Sequence, residues 1–380
     1  MKPRRVVARP DTNAVEHLSS AELTTLRRAL LRWFRTVKRD LPWRRTRDPY
    51  QIWLSEIMLQ QTRVEAVVPY FERFTREFPT LAALAAAPEQ SVLKLWAGLG
   101  YYSRARNLHR AAREVVQRHN GEIPTSANEL LKLPGVGRYT AAAIASIAFD
   151  EPAAVLDGNV KRVLARLFAL DEPINDGAVV RRLWQLAESL LSRRSPGDFN
   201  QAMMELGATV CVPRGPRCML CPIRKHCAAA QQGIAHKLPV LSAKRAPVVV
   251  TRACIALRND QGEWLVAQRS GRGLLGGLWE FPTVEVPEAI DEVALEFAWH
   301  SEYGVRPQQL RDCGEVRHQF THRDLTLRVL FGEVLGRPTP RLTSHAAFRW
   351  VSLEELESLP LAKLERKVLT LLAGFSNAAV

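Results

Sequence analysis

Four cysteines fall within seventeen residues, in the pattern Cys211-x6-Cys218-x2-Cys221-x5-Cys227. Four thiolates so close in the chain make a tetrahedral ligand set, which suits either zinc or a four-iron cluster. The spacing is not that of a zinc ribbon, where two close pairs are separated by a long span. Arg214, Arg217, Arg224 and Lys225 share the loop. Once closed on a metal group, the loop would present positive charge to a phosphate backbone and cross-link the end of its domain. The other two cysteines, Cys254 and Cys313, read as small core residues.

A second group of residues suits an anion. In Leu133-Pro-Gly-Val-Gly-Arg-Tyr-Thr-Ala, one helix ends and another begins near Arg138. Gly135 and Gly137 let backbone N–H groups come close to a ligand. The new helix turns its positive end to the same place, as a DNA phosphate requires. Two carboxylates stand apart from these motifs. Glu56 lies in Ile52-Trp-Leu-Ser-Glu-Ile-Met-Leu-Gln-Gln-Thr, where its helical neighbours are Ile52, Trp53, Leu59 and Gln60. An acid on such an apolar face is costly unless paired or protonated. Burial of that kind makes either a general acid or a structural glutamate bonded to the backbone. Asp157 precedes Gly-Asn-Val-Lys-Arg and on its own reads as a helix N-cap.

These residues must be held by helices first and strands later. Residues 1–18 read as a loose tail, and Ser19 to Ala230 carries apolar positions three and four apart. Asp48 can cap a helix that begins at Pro49, and Ser126 with Glu129 has capping-box spacing. Residues 231–247 read as a linker. Two alternating runs, 251–258 and 263–269, flank the turn Asn259-Asp-Gln-Gly and predict a hairpin. Further strands are expected near 313–319, 325–335 and 347–351, then a helix over 354–375. The second domain, 248–376, is therefore α+β.

The chain has 380 residues, room for two or three domains, and 53 Lys and Arg against 39 Asp and Glu give a formal charge of +14. That excess favours a polyanionic partner, nucleic acid before an anionic membrane surface. No run of about 18 apolar residues predicts a membrane span. Met1-Lys-Pro-Arg-Arg lacks the apolar stretch of a signal peptide. Six cysteines are no disulfide framework and point to a reducing cytoplasm.

LPGVGRYTAAAI, VLDGNVKRVLAR and the cysteine pattern together resemble the helix-hairpin-helix DNA glycosylases that carry an iron–sulfur loop. SEIMLQQTRVE at 55–65 and the added C-terminal domain resemble, within them, the adenine DNA glycosylase (MutY) family. The resemblance implies an all-α helix-hairpin-helix glycosylase domain over 19–230 with a [4Fe-4S] cluster in loop 211–227. It makes Glu56 the general acid and Asp157 the essential aspartate, which stabilises the sugar cation with or without a covalent bond. Asn159 would orient Asp157. Tyr139 stands where glycosylase/lyases carry a Schiff-base lysine, which implies base removal without strong lyase activity. Gln61, Thr62 and Tyr101 would fill the gap left by an extruded base and kink the duplex. Trp43, Arg44 and Gln201 would line the adenine pocket.

The C-terminal part, with Gly276-Gly-Leu-Trp-Glu-Phe-Pro and Glu302-Tyr-Gly-Val, resembles a Nudix fold. Nudix hydrolases hold Mg²⁺ on a helix bearing several carboxylates. The matching helix, Phe297-Ala-Trp-His-Ser-Glu302, keeps only Glu302, so this domain is expected to recognise rather than hydrolyse. Phe320, Thr321 and His322, on a loop between strands, resemble the family's 8-oxoguanine recognition loop, which often has Ser where Thr321 stands. The expected activity is monofunctional excision of adenine opposite 8-oxoguanine or guanine in double-stranded DNA. The expected agent is a cytoplasmic, nucleoid-associated monomer that needs no membrane. The alternatives are an endonuclease III-type glycosylase/AP lyase for oxidised pyrimidines, a Nudix hydrolase tethered to a DNA-binding module, and a non-enzymatic, zinc-bearing DNA-binding protein.

Overall fold

The computed structural model describes residues 18–242, 246–271, 273–287, 291–341 and 343–378. The expected tail lies outside these residues save for Leu18. The chain divides into two compact units, Met1–Gln60 with Glu114–Ala243, and Gln61–Arg113 with Lys244–Val380. The helical pattern thus runs through both: segment 61–113 folds with the C-terminal residues.

In the first unit, α1 (Ser20–Val37) opens with a reciprocal capping box between Ser19 and Glu22. Asp48 caps α2 (Pro49–Leu59), its carboxylate accepting the Tyr50 N–H at 2.9 Å. The sequence α7 (Ala127–Leu130), turn, α8 (Arg138–Phe149) forms the expected hairpin. Only half of the expected capping box forms there. Ser126 accepts the Glu129 N–H, while the Glu129 carboxylate pairs with Lys132 instead. Helices α9 (Gly158–Leu167), α10 (Gly177–Leu190) and α11 (Pro196–Thr209) complete a core with α1 built on Leu30, Phe34, Leu164, Leu183 and Leu206. A short α12 (Ala228–Gln231) follows the cysteines. Of the expected linker, the part up to Ser242 is docked on this unit. Leu238 is buried, its carbonyl accepts the Arg166 Nε–H, and Val240 bonds back to Ile174.

The second unit combines helices α3 (Val64–Glu77), α4 (Leu81–Ala86), α5 (Glu89–Trp96) and the start of α6 (Ser103–Arg118) with a mixed sheet. Among the described residues the sheet has seven strands: β1 (Val248–Asn259), β2 (Trp264–Arg269), β3 (Trp279–Glu280), β4 (Thr283–Glu285), β5 (Gln308–Gln319), β6 (Arg323–Val334) and β7 (His345–Val351). The strand order β3-β2-β1-β6-β5 pairs β1 with β6 in parallel and joins β5 to β6 as a hairpin whose loop is 320–322. Helix α13 (Glu292–Tyr303) is the Nudix-like helix. The helix expected over 354–375 is two, α14 (Leu353–Ser358) and α15 (Lys363–Ala378). Pro360 lacks an N–H and forces Leu359 into an extended conformation (ψ 154°), which ends the first helix.

Candidate functional site

Almost all of α2 is buried, and Glu56 goes with it, 5% exposed beside Ile52 and Trp53. Burial pushes its carboxyl up to about 7, the negative Asp157 adds to the rise, and the Tyr139 hydroxyl and Arg44 work against it. Tyr139 reaches Glu56 from the first turn of α8, its phenol donating to Oε2 at 2.5 Å. Burial and the adjacent carboxylates raise the Tyr139 pKa well above its ordinary value, so the phenol remains a donor.

Asp157 is both things its sequence position allows. It is the N-cap of α9, where Oδ1 accepts the Val160 N–H at 2.7 Å, and its Oδ2 accepts from Asn159 Nδ2 at 2.9 Å. Burial raises its pKa, while the Val160 and Asn159 bonds and the charge of Arg162 pull it down. Helix α11 fixes Asn159 by passing very near it: a Cβ on Gly207 would lie 2.6 Å from the Asn159 Cβ. Arg162, one turn on, donates to Asn159 Oδ1, to the Gly207 carbonyl and to the Cys211 carbonyl, each at 2.7 Å. A continuous chain of hydrogen bonds therefore joins Asp157 to the first cysteine.

Arg166, two turns along the same helix face, is 1% exposed. It donates to the carbonyls of Cys211, Val212, Pro213 and Leu238 and touches Cys211 Sγ at 3.3 Å. In the sequence it is one of several bases in VKRVLAR, with nothing local to set it apart. Burial first, with the charges of Cys211, Cys227 and Cys218 adding to it, pushes the Cys221 thiol up to about 12. Among the described residues no three or more His, Cys, Asp or Glu are drawn together around a single metal ion.

Trp43, Arg44 and Gln201 line one cavity of about 440 Å³, with Arg47, Asp150 and Asp198 at its walls. Glu56, Tyr139 and Asp157 are not among the residues lining it; Arg44, whose charge acts on Glu56, is the link. Glu205, which sequence reasoning missed, sets Arg44. It is 1% exposed and takes Arg39 Nε at 2.7 Å, Arg39 Nη2 at 2.9 Å and Arg44 Nη2 at 2.8 Å.

At the hairpin, Gly135 is exposed at φ 76°, a conformation only glycine adopts freely. Gly137 is the N-cap of α8 and offers no side chain there, so the first N–H groups of the helix stay open to a ligand.

In the second unit, Gln61, Tyr101, Phe320, Thr321 and His322 converge on one cavity of about 530 Å³. Tyr101 is no core aromatic. It is 44% exposed, and its hydroxyl lies 2.8 Å from Thr321 Oγ1. Gln61 and Tyr101 sit at φ 59° and 50°, a strained region for such residues that costs roughly 1–3 kcal/mol each. Thr62 does not line the cavity; it accepts from Arg104 Nη2 at 3.3 Å. Arg104, also unforeseen, is 8% exposed and donates to the carbonyls of Leu99 and Gly100, with its guanidinium over the Trp96 and Tyr101 rings. It is the brace that presents Tyr101. Glu302 on α13 accepts from the Thr343 hydroxyl.

A family model described as HhH-GPD superfamily base excision DNA repair protein matches residues 54–189, and one described as NUDIX domain matches 253–371. A protein of Rattus norvegicus named adenine DNA glycosylase is 38% identical over 408 residues, 93% of this chain and 79% of the relative. A Homo sapiens protein of the same name is 38% identical over 410 residues, 93% of this chain and 75% of the relative. Among solved structures, a thermostable thymine-DNA glycosylase is similar with TM-score 0.50 and 32% identity, over 55% of this chain and 97% of that one. Among the described residues, no helix is long and apolar enough to cross a membrane. The two matched domains, the near-complete length of the match and the arrangement around Glu56 agree: the chain belongs to the adenine DNA glycosylase (MutY) family.

Proposed function

We propose that this protein, acting as a monomer, hydrolyses the N-glycosidic bond of adenine mispaired with 8-oxoguanine or guanine in duplex DNA. The observation that carries the reading is the Glu56 carboxyl, buried, held by Tyr139 at 2.5 Å and raised to about 7. Near neutral pH about half of such groups hold a proton, which is the condition for a general acid. Glu56 gives that proton to N7 of the extruded adenine. The leaving base then departs neutral, and positive charge develops on the sugar.

Asp157 faces that charge. Its ordinary burial penalty falls when an oxocarbenium ion forms beside it, and the Val160 N–H and Asn159 amide already favour the ionised form. Paired carboxylates with opposite tasks, one protonated and one ionised, divide the work as in sugar hydrolases. Water completes the hydrolysis. Tyr139 supplies a phenol where a lyase would need an amine, which speaks against strand cleavage through a Schiff base.

The second unit supplies the choice of mispair. Thr321, between Phe320 and His322, offers a hydroxyl to the base opposite adenine, and Tyr101 with Gln61 fills the duplex. Gly135 and Gly137 bind a phosphate.

Cys211, Cys218, Cys221 and Cys227 hold a [4Fe-4S] cluster in this reading. The fit rests on four half-buried free thiols in one short loop and on Arg166, whose buried guanidinium meets Cys211 Sγ and whose carbonyl accepts from the Cys227 thiol, each at 3.3 Å. A buried cation needs a partner, and four thiolates around a cluster leave net negative charge there. Bound there, such a group would cross-link loop 211–227 through these four residues, and the hydrolysis itself moves no electrons. The test is single-turnover excision on duplexes with A opposite 8-oxoguanine, G, C or T, with Asp157→Asn alongside. Equal rates on all four duplexes, or an Asp157→Asn protein at wild-type rate, would sink the proposal.

A further inference from the structure

One segment with no role so far enters the same 530 Å³ cavity as Tyr101 and Thr321: the turn Gly273-Leu274-Leu275-Gly276-Gly277, between β2 and β3. Its tip side chain, Leu274, is 44% exposed. An aliphatic group held open to water forfeits the gain that burial would give. The turn is firmly held all the same. Arg106 donates to the Gly276 carbonyl, Gln90 Nε2 and Gln268 Nε2 each donate to the Gly277 carbonyl at 3.1 Å, and the Leu278 N–H closes on the Leu275 carbonyl at 3.2 Å.

These bonds hold Leu275 at φ 58°, a conformation bulky residues avoid. Gln61 and Tyr101 carry the same kind of strain in the same cavity. Three separate segments thus each bring a strained, non-glycine residue to one place, and such strain concentrates where a ligand is gripped. The charges around the cavity say which ligand. Arg323 and Lys363 line it together with Leu274, and among the described residues no carboxylate does. A nucleic-acid strand offers both complements, phosphates for the cations and the flat face of a base or a deoxyribose for the leucine.

We propose that Leu274 is a third insertion residue, packing on the base or sugar of the strand that carries the base opposite adenine. This rests on the reading of the cavity given above. An apolar side chain placed in a base step offsets part of its unstacking, as Tyr101 does from the helical side of the same cavity.

The test uses the full chain and a duplex whose target adenosine is 2′-fluorinated to prevent cleavage, placed opposite 8-oxoguanine, with 2-aminopurine beside the 8-oxoguanine. Leu274→Ala is expected to bind about tenfold more weakly, some 1.4 kcal/mol, and to lose at least half of the 2-aminopurine fluorescence rise. Leu274→Met should stay within twofold of wild type in both. So should Leu335→Ala, which removes a leucine 73% exposed outside the cavity. A Leu274→Ala protein matching wild type in both readouts would overturn the inference, as would an equal loss in Leu335→Ala. A wild-type protein that binds the 8-oxoguanine duplex no better than an A·C duplex would instead overturn the reading of the cavity itself.

Discussion

The hydroxyls of Tyr101 and Thr321, 220 positions apart in the chain, lie 2.8 Å from each other at the edge of one cavity. One residue is the proposed wedge and the other the proposed lesion reader, so each fixes where the other points. The pair also fixes how Thr321 presents its hydroxyl: its methyl limits rotation about χ1, and the bond to Tyr101 selects the rotamer.

Removing one side of the pair should therefore blunt discrimination without harming the fold. Tyr101→Phe keeps the ring but frees Thr321. The preference for 8-oxoguanine over guanine should fall about three- to tenfold, the range of one net hydrogen bond. Thr321→Ala should fall at least as far, since it also removes the hydroxyl offered to the base, and the double variant no further than Thr321→Ala alone. Thr321→Ser should keep the preference within about threefold. Competition binding on the two duplexes measures all four.

The acid role of Glu56 sets a pH dependence. Its carboxyl titrates near 7, so the protonated, active form is lost as pH rises through that value. Single-turnover excision should fall about tenfold per unit well above 7, and fall again on the acid side where Asp157, its carboxyl raised by burial, takes up its proton. Glu56→Gln should flatten the alkaline limb and cost roughly 10²–10⁴ in rate. A profile unchanged from pH 6 to 9 in the wild type would remove Glu56 from the acid role.

Tyr139 gives a prediction on products. Wild-type protein should leave abasic strands intact on a gel until heat or alkali is applied, with borohydride trapping no covalent adduct. Fast nicking under neutral conditions would restore the glycosylase/lyase alternative.

Arg166 tests the metal loop. Its five bonds to the loop backbone, the Leu238 carbonyl and one thiol tie α9 to the cysteines. Arg166→Met leaves the Val212, Pro213 and Leu238 carbonyls and the Cys211 thiol without this donor, while the Cys211 carbonyl keeps Arg162, and an acceptor left unsatisfied in a buried place costs roughly 1–3 kcal/mol. The purified wild type should be brown, as iron with sulfur is and zinc is not. Arg166→Met should lose most of that colour and weaken DNA binding at low salt, where the loop's cations matter most.

How much of this could be read in advance depends on whether the residue type announces itself. Cys211 to Cys227 and Gly135 to Gly137 stand out in the sequence, since thiol spacing and glycine spacing are local, and the turn before α8 forms as expected. Strand alternation placed the hairpin before Trp264 and a loop after Gln319 for the same reason, though β6 begins at Arg323, two residues earlier than expected. Arg104, Arg166 and Glu205 do not stand out. A charged residue in an arginine-rich helical chain looks like a solvated face until its partners are known, and those partners lie 42 to 166 positions away in three of the bonds that matter. Docking of residues up to Ser242 was hidden likewise, because a Gly- and Pro-containing segment has no period of its own. Leu359-Pro360 was legible in principle: a proline inside a helical run marks an end.

Two buried glutamates in the first unit give the most discriminating stability test, because their shifts have opposite signs. Burial raises Glu56 from 4.5 to about 7. Its stabilising share is complete below 4.5 and is lost as pH rises through 7, so Glu56→Gln should gain stability at pH 8, by up to roughly 3 kcal/mol, and little at pH 5. Burial would also raise Glu205, but the hydrogen bonds and charges of Arg39 and Arg44 outweigh it and lower it to about 2. Its share is complete above 4.5 and is lost as pH falls through 2. Glu205→Gln should therefore be less stable by about 3 kcal/mol at pH 5 and pH 8 alike, with the gap narrowing toward pH 3. Urea unfolding at these three pH values separates the two patterns. If the two variants changed in parallel with pH, Glu56 would be as well paired as Glu205, and the case for a proton held ready at Glu56 would fail.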